Sequence, residues 1–274
     1  MSDHGAGGGA GAGGGAGVAV EPALRAVRDA GRKILVTYVT GGLGPDWLDS
    51  LHAMVDAGAD AVEVGIPFSD PVMDGPTIQA ASVRALAAGT TPAAILDALR
   101  RVDVPVPLVA MTYYNVVFRA GHLRFARMLA GAGVRGAIIP DLPLEESGGW
   151  EQDAQSSGIE PVLLAAPVTP DDRLAEICRR TRGFVYGVNL MGVTGERSSL
   201  GASAGLLAKR LKAATDRPVV MGFGVAGPDQ AVAAAEHADG VVVASALMRL
   251  LLDGRGPGAV GEAVAALRRA LDAL

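Results

Sequence analysis

Eight times after residue 33, a short run of β-branched and other apolar residues is followed by a stretch of helical period. The runs are 34–39, 60–65, 105–111, 134–139, 161–165, 184–188, 218–222 and 240–245. Helical stretches such as 47–57, 78–99, 123–132, 170–180 and 204–214 lie between them, and 257–274 closes the chain. Strands apolar at nearly every position are buried on both faces, which predicts a parallel sheet covered by crossover helices. Eight such units close most simply as a (β/α)8 TIM barrel. An open doubly wound sheet is the alternative, but Gly41-Gly42-Leu43-Gly44-Pro45 does not supply the G-x-G-x-x-G turn that such folds carry after the first strand.

Residues 1–17 hold nine Gly and four Ala and, beyond Met1, no apolar side chain larger than Ala, too little to offset the entropy of ordering them. They are expected to form a flexible tail, leaving 18–274 as a single barrel catalytic domain near the ~250 residues typical of the fold. The composition is globular, with 50% apolar and 19% charged residues and a net charge of -5. An acidic balance without a basic tract argues against nucleic acid as a partner. No window is apolar enough to span a membrane, and the N-terminus lacks the order of a secretory signal, so a cytoplasmic enzyme is expected. The single Cys178 excludes an internal disulfide and a Cys-rich metal site.

Barrel enzymes place their chemistry at the C-terminal ends of the strands and often hold phosphate on the loops after strands 7 and 8. In Ala61-Val62-Glu63-Val64-Gly65, alternation sets Glu63 opposite the two valines. If the valines face the helices, Glu63 faces the interior, where desolvation raises its pKa toward neutrality. A structural carboxylate paired with an arginine is the other reading. Residues 66–77, with three prolines and a glycine, form a loop longer than usual for its place. It carries Asp74, either a second acid-base group or a turn and cap residue, and Asp70, read as a turn residue. Thr112-Tyr113-Tyr114-Asn115 and Pro140-Asp141-Leu142-Pro143 follow strands 3 and 4, and aromatic hydroxyls there suit a flat, partly polar ligand. Of the two tyrosines, Tyr113 lies nearer the strand.

Strand 6 contributes Tyr186 and then a segment ending in Gly192-Val193-Thr194-Gly195; strand 7 contributes Gly222-Phe223-Gly224, and strand 8 contributes Ala244-Ser245 at a helix start. Small residues at three such places let backbone N–H groups close on an anion, implying a phosphorylated substrate. Scarcity excludes other chemistry. Lys33 precedes strand 1, and Lys209 and Lys212 lie on a helix, so no strand end offers a Schiff-base lysine. His4, His52, His122 and His237 are scattered, so no histidine cluster offers a metal site. Carboxylate acid-base chemistry by Glu63 and Asp74 on a phosphate-bearing substrate remains.

The stretch Glu63-Val-Gly-Ile-Pro-Phe-Ser-Asp-Pro-Val-Met-Asp74-Gly-Pro-Thr-Ile-Gln79 is followed in order by Met111-Thr-Tyr113-Tyr-Asn115, Pro140-Asp141-Leu-Pro143, Gly192-Val-Thr-Gly195 and Gly222-Phe-Gly224. With these motifs, residues 22–254 resemble the tryptophan synthase alpha subunit family. The resemblance implies a (β/α)8 barrel that cleaves indole-3-glycerol phosphate to indole and glyceraldehyde 3-phosphate by a retro-aldol reaction. It implies that Glu63 is the general acid-base group and that Asp74 holds the indole N–H. It sets Tyr186 beside Glu63 and lines the indole pocket with Tyr38, Tyr113 and Ile138. It gives Thr194 to a loop that closes over substrate and Asp141 to the partner-facing region. Gly195, Gly224, Ala244 and Ser245 are then expected to hold phosphate, with Phe223 also among the substrate-binding residues. No cofactor or metal is expected in this chain; the implied partner is the PLP-dependent beta subunit, in an alpha-beta-beta-alpha tetramer. Three places depart from the family pattern: Ala244 replaces a usual Gly, Thr37 a common Pro, and Gly42-Leu43-Gly44-Pro45 the usual Gly-Asp-Pro after the first strand. A free-standing indole-3-glycerol phosphate lyase, a non-catalytic activator of a beta subunit and a sugar-phosphate isomerase are the competing readings. The intact Glu63 and Asp74 argue against the activator, and the loop holding Asp74 argues against the isomerase.

Overall fold

The computed structural model describes residues 17–188, 197–222 and 224–274, the side chains of 197–202 excepted. Its strands are β1 (Ile34–Thr40), β2 (Ala61–Gly65), β3 (Leu108–Met111), β4 (Val134–Ile138), β5 (Glu160–Val162), β6 (Leu164–Ala165), β7 (Val185–Val188), β8 (Val219–Gly222) and β9 (Gly240–Val243). They form one parallel sheet in the order β5-β4-β3-β2-β1-β9-β8-β7-β6. β5 and β6 are two halves of one strand broken at Leu163, so the sheet is a nearly closed barrel of eight β/α units, as the sequence leads one to expect. The helices are α1 (Val20–Asp29), α2 (Trp47–Asp56), α3 (Pro76–Ala87), α4 (Pro92–Leu99), α5 (Tyr114–Ala120), α6 (His122–Gly131), α7 (Gly148–Ser156), α8 (Asp171–Arg180), α9 (Arg197–Ala214), α10 (Pro228–Ala235), α11 (Ser245–Leu252) and α12 (Gly256–Leu271).

Local chemistry corrects several expected boundaries. The helical stretch 78–99 is two helices, because Gly89 turns the chain at φ +82° and Pro92 starts a new helix. Thr91 caps that helix, its hydroxyl accepting from the Ala94 N–H at 3.2 Å. The third strand begins at Leu108 rather than 105, since Pro105 and Pro107 bring no N–H to a ladder. The eighth unit's strand ends at Val243, where the chain turns into α11.

The alternation of the strands divides the apolar core. Val62 and Val64 turn outward and share a cluster with Leu51 and Met54 of α2 and Leu96 of α4. Inside the barrel, Ile34, Val36, Ala61, Val109, Ile138, Val162, Phe184, Val220 and Val242 form a second cluster, joined by Val20 and Leu24 of α1. Complete burial of each large aliphatic side chain contributes about 1.5–3 kcal/mol. α1 therefore lies across the N-terminal end of the barrel. The Glu160 carboxylate at the start of β5 holds it there, accepting from the N–H groups of Val20 at 2.6 Å and Glu21 at 2.8 Å. A second clamp joins the chain end to β1 and β2: Arg268 of α12 reaches Asp60 at 3.0 Å, and both side chains are 8% exposed. Asp60 also accepts from the Leu35 N–H at 2.8 Å, so the buried carboxylate is held from two sides.

Candidate active site

In the register of β1 against β2, Glu63 stands opposite Tyr38. With the flanking valines turned outward, Glu63 points into the barrel, where it is only 4% exposed. Among the described residues its Oε2 has no hydrogen-bond partner and no arginine pairs with it. Burial, reinforced by the negative charge of Asp74, pushes the Glu63 carboxyl up to about 8.

Two phenols stand in the same upper layer because two inward positions lack a side chain. A Cβ on Gly65 would sit 1.9 Å from the Tyr38 hydroxyl, and one on Gly222 would sit 2.5 Å from the Tyr186 ring. The Thr40 hydroxyl donates to the Tyr38 hydroxyl at 3.3 Å. Burial, and then the nearby carboxylates, hold both phenols well above the usual tyrosine range, so each keeps its proton at neutral pH.

Asp74 hangs over this layer on the loop between β2 and α3. It does not cap α3, whose N-cap is Gly75 with no side-chain cap. Its backbone is fixed from both sides: the Asp74 N–H donates to Pro71 O at 3.1 Å, and the Gln79 amide donates to Asp74 O at 2.9 Å. The preceding Met73 N–H donates to the Tyr113 hydroxyl at 3.0 Å, and the Tyr113 ring stacks on Phe68 with centroids 5.2 Å apart. Burial lifts the half-buried Asp74 to about 6, and the Tyr113 hydroxyl keeps it from rising further. At pH 7 Glu63 is therefore mostly protonated and Asp74 mostly ionised. Such a split, imposed by environment on two carboxyl groups, separates an acid from an electrostatic partner.

Other residues singled out from the sequence divide clearly. Tyr113 is buried against the site, whereas Tyr114 turns away and shares a hydrogen bond with His122 Nε2 at 3.0 Å. Asp70 is an exposed loop residue bonded to Ser69. Ile138 lies buried inside the barrel, opposite Met111 and Val162. Gly224, at φ +61°, follows β8, and Ala244 and Ser245 follow its neighbour β9, Ser245 opening α11. Ala244 has φ -118°, a value open to any L-residue, so its methyl group imposes no backbone strain. Thr194, Gly195 and Phe223 lie outside the described residues. Among those described, no group of His, Cys, Asp and Glu is placed to hold a metal ion, and no helix is long and apolar enough to cross a membrane. Periodicity and strand-end position do not single out Gln79, Phe68 and Thr40. Gln79 and Phe68 do fall inside the long motif, and Thr40 is visible only through its contact with Tyr38.

A (β/α)8 barrel with a buried carboxyl group and a half-buried one together inside its mouth has the layout of a barrel enzyme. The family model for the tryptophan synthase alpha chain matches residues 24–269. The chain belongs to that family. It is 45% identical over 260 residues to the tryptophan synthase alpha chain of Halorhodospira halophila, covering 90% of this chain and 94% of that one. It is 44% identical over 248 residues to that of Streptomyces avermitilis, covering 89% and 90%. Among solved structures, Mycobacterium tuberculosis tryptophan synthase superposes with a TM-score of 0.85 at 37% identity, covering 93% of this chain and 98% of the other. The alpha subunit from Legionella pneumophila also gives 0.85, at 32% identity with the same coverage. As a tryptophan synthase alpha chain it is a lyase subunit that needs no cofactor, pyridoxal phosphate belonging to the beta subunit.

Proposed function

We propose that the chain cleaves indole-3-glycerol phosphate to indole and glyceraldehyde 3-phosphate, with Glu63 as the general acid-base group. The observation that carries this reading is the buried Glu63 carboxyl, without a partner on one oxygen and raised to about 8 beside an Asp74 at about 6. An indole carbon is a poor leaving group until it is protonated. Glu63 delivers its proton to indole C3, and the ionised Asp74 accepts the ring N–H and balances the charge of the resulting indolenine. The Glu63 carboxylate then takes the proton of the glycerol hydroxyl as the C–C bond breaks, which restores the acid and leaves an aldehyde.

Tyr38, Tyr113 and Ile138 enclose the ring, and Tyr186 shields Glu63 from water. The phosphate is held by backbone N–H groups at Gly224, Ala244 and Ser245, where a strand end and a helix N-terminus favour an anion. Gly195 and Phe223 complete that end, and Thr194 belongs to the loop that covers it. The family implies a beta subunit as partner; we place the chain in an alpha-beta-beta-alpha tetramer in the cytoplasm, passing indole to the beta subunit. The test is indole release by the purified chain, alone and with a beta subunit from the same source. Slow cleavage accelerated by the partner, and none by Glu63→Gln, is expected. Fast cleavage alone makes the chain a free-standing lyase, and full turnover by Glu63→Gln overturns the mechanism.

A further inference from the structure

Asp74 is on a loop, yet its role demands a fixed position, and the hydrogen bonds behind it cross three loops. The Asp141 carboxylate, on the loop after β4, accepts from the Tyr114 N–H at 2.8 Å. Tyr114 is the first residue of α5, so its N–H has no acceptor within the helix, and the Asp141 oxygen supplies the acceptor. The next residue back is Tyr113, whose hydroxyl accepts from the Met73 N–H at 3.0 Å, and the residue after Met73 is Asp74. Met73 and Asp141 also line one cavity of about 260 Å³. What joins them is the Tyr113–Tyr114 backbone, clamped at one residue by Asp141 and clamping Met73 through the other.

We propose that Asp141 is a positioning residue: through Tyr114 and Tyr113 it fixes the backbone beside Asp74 and so the place of the Asp74 carboxylate. It touches no reacting atom, and its contribution is the location of an acceptor oxygen, not its charge. The proposal rests on the retro-aldol reading above, since a group that must only bind substrate tolerates displacement better than one that stabilises charge in a transition state.

The two attributes separate by substitution. Asp141→Asn keeps an oxygen at the same place and loses the charge; Asp141→Glu keeps the charge and moves the oxygen by a methylene; Asp141→Ala removes both. Steady-state indole release is expected to show kcat for Asp141→Ala lowered about tenfold with KM within about threefold, Asp141→Glu impaired with it, and Asp141→Asn within about twofold of wild type. Tyr113→Phe removes the next link while keeping its ring. Tyr113→Phe also removes the hydroxyl that bonds Asp74 itself, so it is expected to be the slower single variant, and adding Asp141→Ala to it to slow it no more than about twofold further, since Asp141 acts only through Tyr113. Multiplying effects overturn the relay, as does full activity in Asp141→Glu, which stands in for the alanine variant should that fail to fold. Loss of activity in Asp141→Asn overturns the positional role in favour of charge. A wild type that releases no indole overturns the proposal together with the reading beneath it, whereas an active wild type matched by Asp141→Ala overturns the proposal alone.

Discussion

Replacing Glu63 by glutamine is expected to stabilise the protein at alkaline pH while silencing it. Burial and the Asp74 charge move this carboxyl from the ordinary 4.5 to about 8. The folded state thus binds the proton more tightly than the unfolded state, so stability is highest below about 4.5 and is lost as pH climbs through 8. Each pH unit inside that window costs ~1.4 kcal/mol, so between about pH 5 and pH 9 the wild type gives up about 4 kcal/mol to this one group. Glutamine has nearly the same volume and cannot ionise. Urea unfolding followed by far-UV circular dichroism, at about pH 5, 7 and 9, measures the gap between the two proteins. The gap is expected to widen in the variant's favour by up to about 4 kcal/mol across the series. A gap constant within about 1 kcal/mol would mean that Glu63 is ionised throughout the range, and the assignment of Glu63 as a neutral-pH acid would fall with it.

The same two carboxyl groups predict a bell-shaped kcat/KM profile, rising through about 6 as Asp74 ionises and falling through about 8 as Glu63 loses its proton. Asp74→Asn should abolish the acid limb, draw the alkaline limb downward and slow cleavage by ~10²-fold or more; a profile that keeps its acid limb would assign that limb to another group. Gly65→Ala places a Cβ 1.9 Å from the Tyr38 hydroxyl, so a loss of ~1–3 kcal/mol in stability and a sharp drop in indole release are expected. Wild-type kinetics there would show that the phenol is free to move. Arg268→Leu leaves the buried Asp60 with only the more exposed Arg32, at 3.7 Å, as a cation, and thermal or urea unfolding should register a loss of up to ~3–5 kcal/mol; a cost below ~1 kcal/mol would mean that Arg32 compensates Asp60 or that Asp60 is neutral in the fold.

Much of this was legible before any coordinates because strand periodicity carries spatial meaning. Alternation through Val62, Glu63 and Val64 states which side of the sheet each side chain takes, and the clusters on either side of β2 follow it. Helix boundaries were less legible: 78–99 is apolar and Ala-rich throughout, and only the Gly89-to-Pro92 segment reveals the break. Asp74 is a different case. The length of its loop and the scarcity of other chemistry drew attention to it, but nothing local distinguishes a loop aspartate that caps a helix from one held over a cavity. The long-range contacts were invisible for the same reason. Tyr113 meeting Met73 across 40 residues, or Asp141 meeting Tyr114 across 27, depends on neighbouring loops that exist only once the barrel is closed.

α1 gives this barrel a floor. Val20 and Leu24 seal the end opposite Glu63, and Glu160 bolts the seal in place. The molecule is thus a cup rather than a pipe: whatever enters and whatever leaves must share one rim, the rim that carries Asp74, Tyr113 and Asp141. A second protein that is to take up a product formed beside Glu63 can reach it only across that rim.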